Sequence, residues 1–280
     1  MILSYSFIEK SIQCYMVKIF DSHCHLLMLT NQDDVITATK ANDISMLNIS
    51  TQIEDLLFLQ QLYKQHGIRY SIGIHPLYLK TDSISQLDKY LSENAKYAAA
   101  IGETGIDTYR TCDPDMIALQ KRSFEIHCHY AERYNKPIVL HLRNSKNSTD
   151  VSDAESIAWK ILQKYDVRGV IHCCTASEEF IDRMLCRGWL ISFSGIITFA
   201  KTVQKLINCV PLHKILIETD SPYLIPKQIK GKVEHNSPLY VKYVAEIVAH
   251  HKNITYESIC KITYDNAMKL FDYDHNVSYN

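Results

Sequence analysis

The chain has 280 residues, with 30 Lys and Arg against 31 Asp and Glu. Its hydrophobic fraction of 46% and charged fraction of 22% exclude wholesale disorder and fit a globular protein. A net charge of -1 excludes a polybasic binder, so any nucleic acid must be met by a local site rather than by a global field.

Residues 1–15 lack a basic run, and Ser4, Ser6 and the Glu9-Lys10 pair break their apolar character. They read as a loose extension rather than a signal peptide. No stretch approaches the roughly 18 apolar residues of a membrane span, so no membrane association is expected. From Met16 onward, short β-branched runs alternate with longer amphipathic stretches. The expected strands are Lys18–Leu26, Ile44–Ser50, Arg69–His75, Tyr97–Asp107, Pro137–Arg143, Gly169–Cys174, Trp189–Gly195 and Lys214–Asp220. The expected helices include Glu54–His66, Met116–Tyr134 after Asp113-Pro114, Phe180–Cys186 after Thr175-x-x-Glu178, a segment from Ser237-Pro238 to about His251, and Glu257–Leu270. Several strands are apolar nearly throughout, as buried parallel strands are. Eight βα units in series, within residues 16–280, predict a single-domain (β/α)8 TIM barrel. An open dinucleotide-binding sheet is disfavoured, because the first strand runs into Asp21-Ser-His-Cys-His25 instead of a glycine-rich turn.

The nine cysteines form no CxxC pair, so they read as reduced thiols of a cytoplasmic protein. The histidines and acids are more informative. His23 and His25 lie two apart on the first strand and project to one face, where two imidazoles chelate a divalent ion. Glu103, His141, His172 and Asp220 stand at the ends of four other strands, and His75 ends the third. In a barrel all these ends converge on one mouth. Polar groups there are costly to bury unless paired or metal-bound. Six such ligands suit two divalent ions, with Mg, Mn and Zn all compatible with the donor set. Glu103 is best placed to bridge them, and Asp220 can both ligate and accept the proton of an attacking water. His127 and His129, two apart on a helix, carry no expected role.

These residues resemble those of the TatD family of metal-dependent deoxyribonucleases, within the amidohydrolase-like superfamily. The resemblance lies in Phe20-Asp-Ser-His-Cys-His25, Gly73-Ile-His-Pro76, Ile101-Gly-Glu-Thr-Gly-Ile-Asp107, His141-Leu-Arg143, Ser194-Gly-Ile-Ile-Thr-Phe199 and Ile217-Glu-Thr-Asp-Ser-Pro-Tyr-Leu224. It implies a TIM barrel whose two-metal site hydrolyses DNA, often as a 3′-to-5′ exonuclease. It further implies that His23, His25, Glu103 and Asp220 hold one metal, that Glu103, His141 and His172 hold the second, and that His75 and Arg143 contact the substrate phosphate. Two departures from the family pattern, at His172-Cys-Cys-Thr-Ala176 and at Gly231-Lys-Val-Glu-His-Asn236-Ser-Pro238, touch the loops beside the site.

Expectations therefore centre on a monomeric nuclease acting on single-stranded DNA or strand ends. Lys146, Lys227, Lys230, Lys232 and Arg143 are placed on loops around the mouth. One rival keeps the barrel and hydrolyses an amide or ester, as an amidohydrolase or a D-aminoacyl-tRNA deacylase would. Another is an inactive barrel used for binding, against which stands the full set of six ligands.

Overall fold

The computed structural model describes residues 17–145 and 153–271, so the expected extension at 1–15 and Lys146 lie outside the described residues. Eight strands are present: β1 (Ile19–Cys24), β2 (Ile44–Asn48), β3 (Arg69–Ile72), β4 (Ala100–Asp107), β5 (Ile138–Arg143), β6 (Gly169–Ile171), β7 (Leu190–Phe193) and β8 (Ile215–Ile217). They pair in sequence order, each parallel to the next. Helices α1 (Gln32–Ala41), α2 (Leu56–His66), α3 (Ser83–Asn94), α4 (Pro114–Arg133), α5 (Ala154–Leu162), α6 (Glu178–Cys186), α7 (Lys201–Cys209), α8 (Val241–Lys252) and α9 (Tyr256–Leu270) alternate with them. This is the expected TIM barrel. No helix among the described residues is long and apolar enough to cross a membrane.

Two hydrophobic layers follow from strand alternation. Phe20, Leu47, Val139, Val170, Leu190 and Leu216 pack together and fill the barrel interior, closed below by Leu270 and Phe271. Residues of opposite phase, such as Ile72, Ile101, Ile171, Ile191 and Ile217, belong to the larger cluster shared with the helices.

The ends of the elements differ from the sequence expectation. Most strands stop short of it, because their last residues turn into the mouth instead of extending the ladder. His25, His172 and Asp220 all lie beyond their strands for this reason. Helix α6 is capped by Ser177, whose hydroxyl accepts from Phe180 N at 3.2 Å, and not by Thr175. Ser177 immediately precedes the acidic first turn of Glu178 and Glu179, which favours the helix dipole. Helix α2 starts after Glu54, because Ile53–Asp55 forms a 3-10 turn. The Asp55 carboxylate accepts from Thr51 N there at 2.7 Å. Asp113 caps α4 as expected, accepting from Asp115 N.

The seam between β8 and β1 is closed differently from the rest. One isolated bridge joins Cys24 and Ser221. His25 N donates to Ser221 O at 2.9 Å and Asp220 N to His23 O at 3.0 Å. The fully buried Asp21 carboxylate accepts from Thr219 N at 2.9 Å and Thr219 Oγ1 at 2.6 Å. Burial drives that carboxyl up to about 8, against the pull of the Thr219 and His23 donors.

Candidate metal centre

Two interruptions of register shape the mouth. Asp21 and Cys24 of β1 face Met46 and Asn48 of β2, so one extra residue stands on β1. Ile101 and Thr104 of β4 face Ile138 and Leu140 of β5 in the same way. Such bulges re-aim side chains. Within the first, Ser22 points inward, its hydroxyl 2.9 Å from Ser192 Oγ. The next residue, His23, and His25 beyond the break both face the cluster at the mouth. Glu103 sits in the second bulge, beside Gly102 at φ +135°. A Cβ on Gly102 would lie 2.5 Å from Val139 O, so only glycine lets β4 approach β5 there.

The side chains so delivered form one cluster around Glu103. Its Oε2 lies 3.3 Å from His23 Nε2 and 3.8 Å from His25 Nε2. Those two imidazole nitrogens are 3.1 Å apart, and Asp220 Oδ1 is 3.6 and 3.5 Å from them. Metal bonds of about 2.0–2.2 Å place tetrahedral donor atoms roughly 3.4 Å apart, so these four atoms have the spacing of a metal's ligand set. The other oxygen of Glu103 faces a second group. Oε1 is 2.7 Å from His141 Nδ1 and 2.7 Å from His172 Nε2, which are 3.2 Å from each other. Asp220 reaches the first group because its backbone turns to φ +55°, a conformation costly for a non-glycine residue and typical of functional sites.

Hydrogen bonds on the far side of two rings decide which nitrogen offers a lone pair. His25 Nδ1 donates to Ile49 O at 3.3 Å, and His141 Nε2 donates to Asp107 Oδ2 at 3.0 Å. Each of these bonds fixes the outer proton and leaves the inner nitrogen free to ligate. His172 Nδ1 has no hydrogen bond but faces the Glu218 carboxylate, with Oε1 3.4 Å away. His75 is the opposite case. Its Nδ1 accepts from Leu77 N at 3.1 Å, so its proton lies on Nε2, 3.4 Å from Glu103 Oε1. His75 thus has ligand-like distances but the tautomer of a donor.

Electrostatics points to a cation. Burial alone would raise Glu103, yet His172, His75, His23 and the bond from His141 hold it well below the usual carboxylate range. Asp220 is likewise lowered, burial being overcome by His25, His23 and His172. Burial pushes His23 down, with repulsion from His172 adding to it. His172 is pushed well up, because Glu103 and Glu218 outweigh its burial. The stacked rings of His23 and His172, with centroids 4.0 Å apart, disfavour two adjacent protons. His25 and His141 are raised as well, by the carboxylates beside them, so ionised carboxylates here gather positive charge, and a divalent ion would take the place of those protons.

All eight expected site residues, His23, His25, His75, Glu103, His141, Arg143, His172 and Asp220, lie at this mouth. Those from His25 onward line one pocket of about 710 Å³, and His23 lies buried beneath it. Arg143 forms part of the wall. Lys227, Lys230 and Lys232 are exposed and do not line the pocket. Sequence reasoning missed the supporting residues. Asp107 and Glu218 orient two imidazoles, although both sit within motifs of strand-end acids. His127 on α4 is fully buried and accepts from Ile74 N at 3.1 Å, next to His75. Its signal, a histidine on the apolar face of a helix, has no functional meaning without the tertiary fold.

A (β/α)8 barrel with this donor set at its C-terminal mouth defines a metal-dependent hydrolase. Comparison with known proteins agrees. Residues 20–272 match the family model described as TatD related DNase. The chain is 35% identical over 271 residues to the uncharacterized metal-dependent hydrolase YcfH of Escherichia coli, spanning 91% of this chain and 96% of that one. It is 32% identical over 266 residues to YabD of Bacillus subtilis, also an uncharacterized metal-dependent hydrolase, with 90% and 98% covered. Among solved structures, the TatD homolog YjjV of Escherichia coli superposes with a TM-score of 0.79 at 21% identity, covering 92% of this chain and 99% of that one. The chain belongs to the TatD family.

Proposed function

We propose that this protein is a two-metal phosphodiesterase acting on DNA, removing nucleotides from the 3′ end of a single strand. The observation that supports it best is the central place of Glu103 in one continuous cluster, its Oε2 nearest His23 and its Oε1 nearest His141 and His172, below one open pocket. His23, His25, Asp220 and Glu103 Oε2 would hold one ion, and His141, His172 and Glu103 Oε1 the other. Two such ions, when bound, acidify water and stabilise charge on the phosphoryl oxygens. The chain's own residues do the rest. Asp220, with a pKa held low, stays ionised and accepts the proton released by the attacking water. His75, donating from Nε2, and Arg143 orient the phosphate and favour its developing charge. Asp107 and Glu218 keep the imidazoles in register during turnover.

The test is incubation of 3′-labelled single-stranded DNA with the protein loaded with Mg²⁺, Mn²⁺ or Zn²⁺. Release of mononucleotides, and their loss in Asp220→Asn with folding intact, is the expected result. Glu103→Gln should also lower the bound metal towards half or less. DNA left intact by every metal form, with hydrolysis of an amide or aminoacyl-tRNA instead, would overturn this reading.

A further inference from the structure

Two tyrosines from separate loops stand over the ligands. Tyr78, after β3, has its ring 5.5 Å from that of His75. Tyr223, after β8, meets the His25 ring edge to face at 6.3 Å. The Tyr223 hydroxyl donates to Met28 Sδ at 3.4 Å. The two phenols therefore stand on the His25 and His75 sides of one pocket. Beyond β4, the Tyr109 ring carries the Arg143 guanidinium 4.1 Å from its centroid.

These rings are not core. Tyr78 and Tyr223 both line the pocket, yet 41% and 50% of their surface is exposed. Leu77 extends this wall, and among the described residues Arg110 and Arg143 are the only Lys or Arg side chains that line the pocket. Tracking a duplex needs many phosphate contacts from cations. An unpaired base instead needs a π face, and stacks on one whatever its sequence. A pocket of about 710 Å³ is of the size that takes one small ligand group.

We infer that Tyr78 and Tyr223 form a stacking platform for the terminal unpaired base of the substrate strand, while Arg143, braced on Tyr109, meets the adjoining phosphate. This rests on the phosphodiesterase reading above and makes the platform the source of single-strand selectivity. A terminal base that is still paired is held edge-on to its partner strand and frees only its outer face, so a duplex end must fray before the base can turn into the pocket. Discrimination among the four bases should be weak, because every base has a π face.

The test compares the holoenzyme with Tyr78→Ala, Tyr223→Ala and the corresponding Phe variants. The substrates are two single-stranded oligonucleotides, one ending in a normal 3′ nucleotide and one ending in an abasic residue. For the normal end, each Ala variant should raise KM about tenfold with a smaller change in kcat, as lost base–aromatic stacking does. The Phe variants should stay near wild type, and the abasic end should already be poor for wild type and no poorer for the Ala variants. With cleavage stopped by chelator, a terminal 2-aminopurine should be quenched on binding wild type and remain bright with the Ala variants. A KM within about twofold of wild type for both Ala variants, or an equal loss on both ends, would refute the platform while leaving the phosphodiesterase reading intact. Failure of wild type to cleave either oligonucleotide or bis(p-nitrophenyl) phosphate would refute the phosphodiesterase reading and the platform with it.

Discussion

Lowering the pH from 7 to 5 should remove stability through one buried imidazole behind the site. His127 Nε2 accepts from Ile74 N at 3.1 Å, and Nδ1 donates to Ser123 O at 2.7 Å. Burial, opposed only by the Ser123 bond, moves its pKa from 6.5 to about 4. Between these values the unfolded chain takes up a proton that the folded chain refuses. The contribution is therefore complete above pH 6.5 and is lost as pH falls towards 4. An interval of about 2.5 pH units corresponds to about 3 kcal/mol in all, of which about 2 kcal/mol is gone by pH 5. The site histidines are shifted in both directions, so the difference between two proteins is the proper readout. His127→Gln retains an oxygen for Ile74 N but cannot take up the proton. Urea unfolding of both metal-stripped proteins should show the wild-type advantage shrinking by about 2 kcal/mol between pH 7 and pH 5. Parallel pH dependences for the two would refute the assignment of a neutral His127.

Two further substitutions probe the supports of the metal ligands. Asp107→Asn preserves an oxygen for Tyr109 N and Arg110 N, which the native carboxylate accepts at 2.9 and 2.8 Å. Its amide would turn a donor towards His141 Nε2, driving the ring proton to Nδ1 and blocking ligation. Metal titration by calorimetry should show affinity weaker by about 10–100-fold with the far-ultraviolet spectrum unchanged. Gly105 lies at φ +142°, and a Cβ there would collide with the carbonyl oxygen of His141. Gly105→Ala should destabilise the fold by about 3 kcal/mol and disturb His141, checked by chemical denaturation and by metal content.

The clustered residues were legible because each is a polar residue at or near the end of an otherwise apolar run, and the barrel turns such positions into neighbours. The supporting layer was not. Asp107 and Glu218 were visible as strand-end acids, but only the fold pairs each with one imidazole across 34 and 46 residues of chain. The two bulges left a faint trace, Gly102 within the β4 run, and none on β1. Strand lengths were overestimated for a related reason. Hydrophobic pattern reports burial, and the residues lining the mouth are buried without being paired in the sheet. The expected ring of lysines failed differently: sequence places Lys227, Lys230 and Lys232 on the correct loop, but the direction of an exposed side chain is set by the loop's own packing. Ile229 among them is buried, while the three lysines are exposed and do not line the pocket.

The two ligand groups also differ in what holds them. His141 stands on β5 and His172 directly follows β6, its paired neighbour, and β4 and β5 share the most extensive register in the sheet. His23, His25 and Asp220 straddle the seam between β1 and β8, where a single bridge and the Asp21 carboxylate replace a ladder. Glu103 spans both groups from β4. Loss of the Asp21 bonds to Thr219 would therefore separate His23 and His25 from Asp220 while leaving His141 and His172 in place. On the two-ion reading proposed above, metal content followed along a urea titration should fall in two steps, the group across the seam emptying first and the group on β4–β6 persisting until the sheet unfolds; loss of both in one step would refute this order. Asp21, through its bonds to Thr219, thereby ties the placement of His23, His25 and Asp220 to the closure of the barrel.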